Sequence, residues 1–322
     1  MIRCARYLSV NFLVLGYFVH GMPSGGSLQA VAPPRLVCNV VDDCKADPTN
    51  RTVSTGAVQT CINKCINGGE VYIPENAAIL ISTVDLTGAT NFALTFGRNA
   101  SLTAVPNPDL YPLVPFLPDV GSGLSYRPII YGWNISNVTI GGSEEWAAFS
   151  DAPPVLNGAG GQWWVNFTRK ILPHKRPKLI ELANGTDITI RDLHTRDSPL
   201  WTNHIYGSSG VNFLRMLVTA PRAVGNTDGI HPESSSHVLI DSCHVDVGDD
   251  AITLTSSAWP NTTRCSATRH VLVNNCTLLS RNMAIGSQTF CGVHDVLVQG
   301  GRIGDDGNAE GVGSSPWAFK IK

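Results

Sequence analysis

Charge is scarce in this chain of 322 residues: Asp, Glu, Lys and Arg together make up 15% of it, and the net charge is −2. A near-neutral chain lacks the basic field that a nucleic-acid binder or a polybasic membrane binder uses. An acidic polysaccharide is still open, because a locally basic cleft is enough to hold one. The apolar run near the N-terminus, Tyr7 to Val19, is too short to cross a bilayer. The nine cysteines include no CxxC pair and no Cys/His cluster of zinc type, so a metal site has little support. Helical patterning, apolar at i, i+3 and i+4, is nearly absent after about Gly68.

What is present is turn chemistry and alternation. Gly 31 and Pro 20 suit a fold with many turns and few long helices. Arg3 and Arg6 precede the apolar run, which reads as a signal peptide over residues 1–28. The alternative is an uncleaved hydrophobic start. Cleavage removes Cys4 and leaves an even eight cysteines, in an N-terminal group (Cys38, Cys44, Cys61, Cys65) and a later one (Cys243, Cys265, Cys276, Cys291). Disulfides within each group fit an oxidising compartment, but spacing does not fix their pairing. Sequons at Asn50, Asn99, Asn134, Asn137, Asn166, Asn184 and Asn261 agree with secretion.

From residue 29 to 322 the chain reads as one domain of short strands. DITIRDL from Asp187, GVNFLRML from Gly210, HVLIDSCHV from His237, HVLVNNCTL from His270 and DVLVQGGRI from Asp295 share one pattern. Aligning Ile188, Val211, Val238, Val271 and Val296 gives steps of 23, 27, 33 and 25 residues. NFALTF from Asn91 and NVTIGG from Asn137 are earlier echoes. Strands at this period, with no helices between them, predict a solenoid with one repeat per coil. A β-sandwich with coincidental spacing is the alternative. Thr55 to Asn67 is the one helical pattern, with Val58, Cys61, Ile62 and Cys65 on one stripe, and it predicts a cap on the first coil.

Three carboxylates then stand out. Asp228 (in NTD) and the pair Asp249 and Asp250 (in GDD) are 21 residues apart, close to one coil. Stacked coils lie about 4.7–4.9 Å apart, so both sites fall on one face of the solenoid. Neighbours in a strand point to opposite faces, so Asp249 and Asp250 share a groove only if the chain turns there, which Gly248 eases. Crowded carboxylates raise one another's pKa, so one stays protonated as an acid while the others hold a water. An inverting glycosidase places acid and base roughly 6.5–9.5 Å apart, and that separation is the expectation here. Calcium binding and a solvated turn are the other readings of three clustered acids.

With these residues in view the chain resembles polygalacturonases of glycoside hydrolase family 28. NGAGGQWW (Asn157 to Trp164), RPKLIELANGTDITIRDLHTRDSPLWTNH (Arg176 to His204), NTDGIH and GDDAI fall in the family's order and spacing. The resemblance implies a right-handed parallel β-helix, α-1,4-galacturonide hydrolysis with inversion, no metal and no cofactor. It further implies a secreted monomer whose partner is pectic polysaccharide. By position, Asp249 resembles the general acid and Asp228 and Asp250 the pair that activates water. Asn226 resembles a residue that orients a carboxylate or meets the substrate.

Three departures accompany the likeness. SRNMAIGSQ puts Arg281 where the family has a histidine, and Lys320-Ile321-Lys322 stands for Arg-Ile-Lys. Lys320 keeps the charge but loses the planar fork that pairs with a carboxylate. Arg281, Lys320 and Lys322 are the expected substrate-binding cations. The chain also ends at Lys322, short of the coils usual in the family. His204 and His231 read as packed histidines, and Trp163, Trp164 and Trp201 as core residues before sugar platforms. Asp305 and Asp306 read as a solvated turn. A pectate lyase, a rhamnogalacturonan or xylogalacturonan hydrolase, and a non-catalytic pectin-binding paralogue are the rival functions.

Overall fold

The computed structural model describes residues 35–117, 123–143, 153–258, 265–279, 282–304 and 319–322. The predicted signal peptide, Asn261, Arg281, Asp305 and Asp306 lie outside these.

Each coil contributes one strand to each of three parallel sheets, two of nine strands and one of eight. The sheets stack coil on coil, so a sandwich is excluded. Strand, crossover and parallel strand close right-handed, and the chain forms a right-handed parallel β-helix. The register of the repeats is the one the sequence implies: Ile188 lies opposite Val211, Val211 opposite Val238, Val238 opposite Val271 and Val271 opposite Val296. Phe92 and Val138 begin the same row. Side chains alternate along a strand, so these residues and the row two positions on (Leu94, Ile140, Ile190, Phe213, Ile240, Val273) point inward and stack into the core.

Helix α1, Thr55–Cys65, buries Val58, Cys61, Ile62 and Cys65 against the first coil. Disulfides Cys38–Cys65 and Cys44–Cys61 tie it to the preceding segment, and Cys265–Cys291 forms in the later group. Cys243 and Cys276 remain buried thiols. A second helix, α2, Gly161–Thr168, was not expected from the sequence. It is two turns long and inserted at a turn between coils, and it buries only Trp163, so no periodic stripe announces it.

The eight-stranded sheet departs from the alternating pattern. Strands Ile180–Ala183, Asn203–Tyr206, Ile230–Glu233 and Ile252–Ser256 are buried at every position. Most of their outward side chains are polar and all are buried, so something covers a face that a simple β-helix leaves wet. Part of the cover is an antiparallel hairpin, Leu113–Pro115 with Leu124–Tyr126, inserted before strand Ile130–Trp133.

Candidate active site

The turns that enter the eight-stranded sheet carry the acids. Strand Ile230–Glu233 stacks on Ile252–Ser256 with Ile230 opposite Ile252. Asp228 and Asp250 each precede these partners by two residues, so they occupy equivalent places one coil apart. Asp249 comes one residue earlier and turns into the same cluster: an oxygen from each of the three carboxylates lies within 4.8 Å of the other two. This is tighter than the acid–base separation expected from the sequence, because the turns stack directly and all three side chains converge.

The glycines act by close approach and not through unusual dihedrals. A Cβ on Gly248 would sit 1.9 Å from Val224 O, and one on Gly229 would sit 2.4 Å from Val245 Cγ1 and 2.6 Å from Ala251 O. Bare backbone at these two points lets the NTD turn nest against the GDD turn.

Each acid is held by named donors. Asp228 Oδ2 accepts from Thr253 Oγ1 at 2.8 Å. Asp249 Oδ2 accepts from the backbone N–H of Asn226 at 2.8 Å, and its Oδ1 from the N–H of Asp250 at 3.1 Å. Asp250 accepts from Asn282 Nδ2 and pairs with Lys322 Nζ. Asp228 and Asp250 are buried and Asp249 is half-buried. Burial, then the charges of Asp249 and Asp250, raise the Asp228 carboxyl to about 7, against a weaker opposing pull from Thr253. Asp228 therefore keeps its proton toward neutral pH. Three acids of this kind are also a ligand set for a hard cation. On Asp250, however, the Lys322 ammonium takes the place such an ion would fill.

Of the expected substrate contacts, Asn226 is exposed and engages Asp249 through its backbone, and Arg176 Nη2 lies 3.5 Å from its Oδ1. Lys320 is exposed on strand Phe319–Ile321, opposite Ala284. Thr253 and Asn282 were not anticipated. Both are polar residues with no motif of their own, and only the register brings them to the acids.

A second polar cluster runs from this coil to two coils nearer the N-terminus. Lys178 Nζ donates to Leu117 O at 2.7 Å and to Glu181 Oε2, and it lies 3.0 Å from His204 Nδ1, which is itself 3.0 Å from Glu181 Oε2. His204 Nε2 lies 3.1 Å from Glu233 Oε2, and Glu233 Oε1 accepts from Ser257. Lys178, Glu181, His204 and Glu233 are all buried. Burial raises the Glu181 carboxyl, but Lys178 and His204 outweigh it and hold its pKa below the usual value. Burial lowers the pKa of Lys178 against the pull of Glu181 and Glu233. His204 is thus a packed, fully bonded histidine, as the sequence suggested. His231, 5.0 Å from it ring to ring, is pushed well down by burial and by neighbouring cations, so it is neutral; its Nε2 pairs with Thr255 Oγ1 at 2.7 Å. Trp163 is core, edge-on to Tyr111 at 5.4 Å, whereas Trp201 is half-buried between Phe116 and His231. Lys178 and Glu181 sit in the RPKLIE stretch, where two charges bracketing apolar residues gave a signal that the motif overshadowed.

A cavity of about 410 Å³ lies elsewhere, at the exit ends of the same strands, lined by Ser208, Ser209, Ser236 and Arg269 among others. The acids precede the strands and this cavity follows them, so it belongs to the opposite edge of the sheet.

Comparison with known proteins agrees with this architecture. Residues 128–308 match the model for glycosyl hydrolases family 28. A probable polygalacturonase of Vitis vinifera is 29% identical over 264 residues, covering 77% of this chain and 51% of its own length. An endo-polygalacturonase of Pectobacterium carotovorum subsp. carotovorum is 24% identical over 331 residues, covering 95% of this chain and 77% of its own length. The chain thus spans about half the length of the grape relative. The crystal structure of a hyperthermoactive exopolygalacturonase from Thermotoga maritima superposes with a TM-score of 0.68 at 21% identity, over 83% of this chain and 66% of the other. With the matched segment containing the acid cluster and more than half of the residues, the chain belongs to glycosyl hydrolases family 28.

Proposed function

We propose that the protein is a secreted hydrolase of α-1,4-galacturonide bonds in pectin, acting by a single inverting displacement at Asp228, Asp249 and Asp250. The observation that carries the hydrolase reading is the convergence of the three carboxylates within 4.8 Å, with Asp228 raised to about 7; the inverting course is what the resemblance to family 28 implies. Asp249, the least buried of the three, is the one able to reach a leaving-group oxygen, and it is the general acid. Asp228 and Asp250 are fixed behind it by Thr253, Asn282 and Lys322, and they hold the attacking water. As the water oxygen bonds to the anomeric carbon, the glycosidic bond breaks. Asp249 then gives its proton to the departing oxygen, and the water's proton goes to the Asp228–Asp250 pair. That proton returns to Asp249 across the cluster and resets the acid. Lys320 and Lys322 give the cleft a positive side for the galacturonate carboxylates, and Arg281 is assigned to the same task. The three disulfides suit extracellular release, and the protein works as a monomer.

Family membership leaves the mode of attack open, since the Pectobacterium relative is named an endo- and the Thermotoga one an exo-enzyme.

Reducing-end release from polygalacturonate in the presence of chelator is the test, beside rhamnogalacturonan and xylogalacturonan. Turnover that survives chelator and produces no ultraviolet-absorbing unsaturated product supports hydrolysis. Products that absorb, or activity that chelator removes, would point to elimination instead. Proton NMR of the first product then reads the anomer: the β form from an α bond supports inversion, and the α form contradicts it.

A further inference from the structure

We infer that the hairpin arms Leu113–Leu117 and Leu124–Tyr126 close one end of the groove, so that the enzyme removes single residues from chain ends and does not cut internally. This rests on the galacturonan reading above and specifies the substrate end of that same site.

The residue two places before each strand of the eight-stranded sheet lines the groove. Going toward the C-terminus these are Lys178, Trp201, Asp228 and Asp250, set by the register Ile180–Asn203–Ile230–Ile252. An open groove would run along this row on both sides of the acids. Here the row is blocked. Phe116 packs on Trp201 at 5.4 Å between ring centroids, and the ammonium of Lys178 lies 4.6 Å from the Phe116 ring. Leu117 packs on the outward side chains of Ala183 and Tyr206, with Trp133 against the same group. Phe116 is 7% exposed, Leu117 6% and Lys178 2%.

Lys178 is what a search for a galacturonate-binding cation would select from the row. Its ammonium, on a residue 2% exposed, already donates to Leu117 O and Glu181 and is packed against His204, so it serves as the hairpin's anchor and is closed off from a sugar acid. The backbone supports the same placement: Tyr126 N–H donates to Lys175 O and Ile129 N–H to Lys178 O. Phe116 meets Trp201, one coil from Asp228, and coils repeat at about 4.8 Å. That leaves room for one pyranose ring between the hairpin and the acids, with the half-buried Trp201 beside it.

The experiment follows products and viscosity together during polygalacturonate digestion. Galacturonate monomer as the first and dominant small product, with viscosity falling slowly per bond cut, is the expected result. A spread of oligomers with an early collapse of viscosity would overturn the inference while leaving the hydrolase reading intact. Phe116→Ala widens the closed end and is expected to raise the share of larger products several-fold; an unchanged product profile in this folded variant contradicts the assignment. Binding gives a readout independent of turnover. Asp249→Asn titrated with short and long oligogalacturonides is expected to bind one protein per chain end whatever the length. Stoichiometry that grows with chain length overturns the inference, and absence of both binding and turnover removes the galacturonan reading itself.

Discussion

Two buried polar clusters adjoin on the same sheet, and they are built on opposite principles. Around Lys178, Glu181, His204 and Glu233, each side chain has a donor or acceptor to match it, and opposite charges alternate. Around Asp228, Asp249 and Asp250, three like charges are forced together with Lys322 on one of them. The first arrangement is satisfied and fixes structure. The second is strained in its charge, and strain of that kind makes a carboxyl release or accept a proton near neutral pH. Burial by itself therefore does not mark a reactive site. What separates the two is whether the charges are balanced.

Breaking the acid cluster is expected to have the largest effect. Asp228→Asn and Asp250→Asn should each lower kcat on polygalacturonate by about 10³-fold or more, in line with the loss of a positioned acid or base, as steady-state rates would show. Breaking the satisfied cluster should act on stability instead. Glu181→Gln leaves Lys178 buried without its carboxylate, which costs roughly 3–5 kcal/mol, whereas replacing Lys178 and Glu181 together by Met and Gln recovers much of the loss. Chemical denaturation of the two variants tests this.

The clusters also differ in their response to pH. Folded Asp228 keeps its proton up to about pH 7, against a reference value of 3.8. The folded chain therefore binds more protons than the unfolded chain between those values, and this group favours folding at acid pH. Its contribution is lost as pH rises toward 7, a change on the order of 4 kcal/mol. Asp228→Asn should abolish that dependence and be more stable than the parent above pH 7, as melts across the range will show. Proton loss from Asp228 also sets the alkaline limb of kcat/KM, near pH 7. Thr253→Val sharpens the comparison by the smallest step. It removes a hydrogen bond that favours ionised Asp228, so the alkaline limb should move up by less than about one pH unit.

Much of this was legible in the sequence. The row Ile188, Val211, Val238, Val271 and Val296 gave the coil and its register, because an inward-pointing ladder has to be apolar at fixed places. The intervals placed Asp228, Asp249 and Asp250 on one face for the same reason. The depth of their convergence was not legible, since it depends on backbone contacts at Gly229 and Gly248 that composition does not reveal. Thr253 and Asn282 escaped notice because polar residues become partners only through stacking. The hairpin and α2 escaped because insertions at turns obey no period. Lys178 would have been misread without the structure: its place in the groove row suggests a substrate cation, and its bonds to Leu117 O and Glu181 make it an anchor.

Specific turnover of polygalacturonate, measured per folded molecule for Asp250→Asn beside Glu233→Gln, tests the division between the two clusters most directly. Loss of turnover in Asp250→Asn, with near-parental turnover in whatever fraction of Glu233→Gln stays folded, is the predicted result. Equal losses in both folded proteins, or activity that survives in Asp250→Asn, would contradict it.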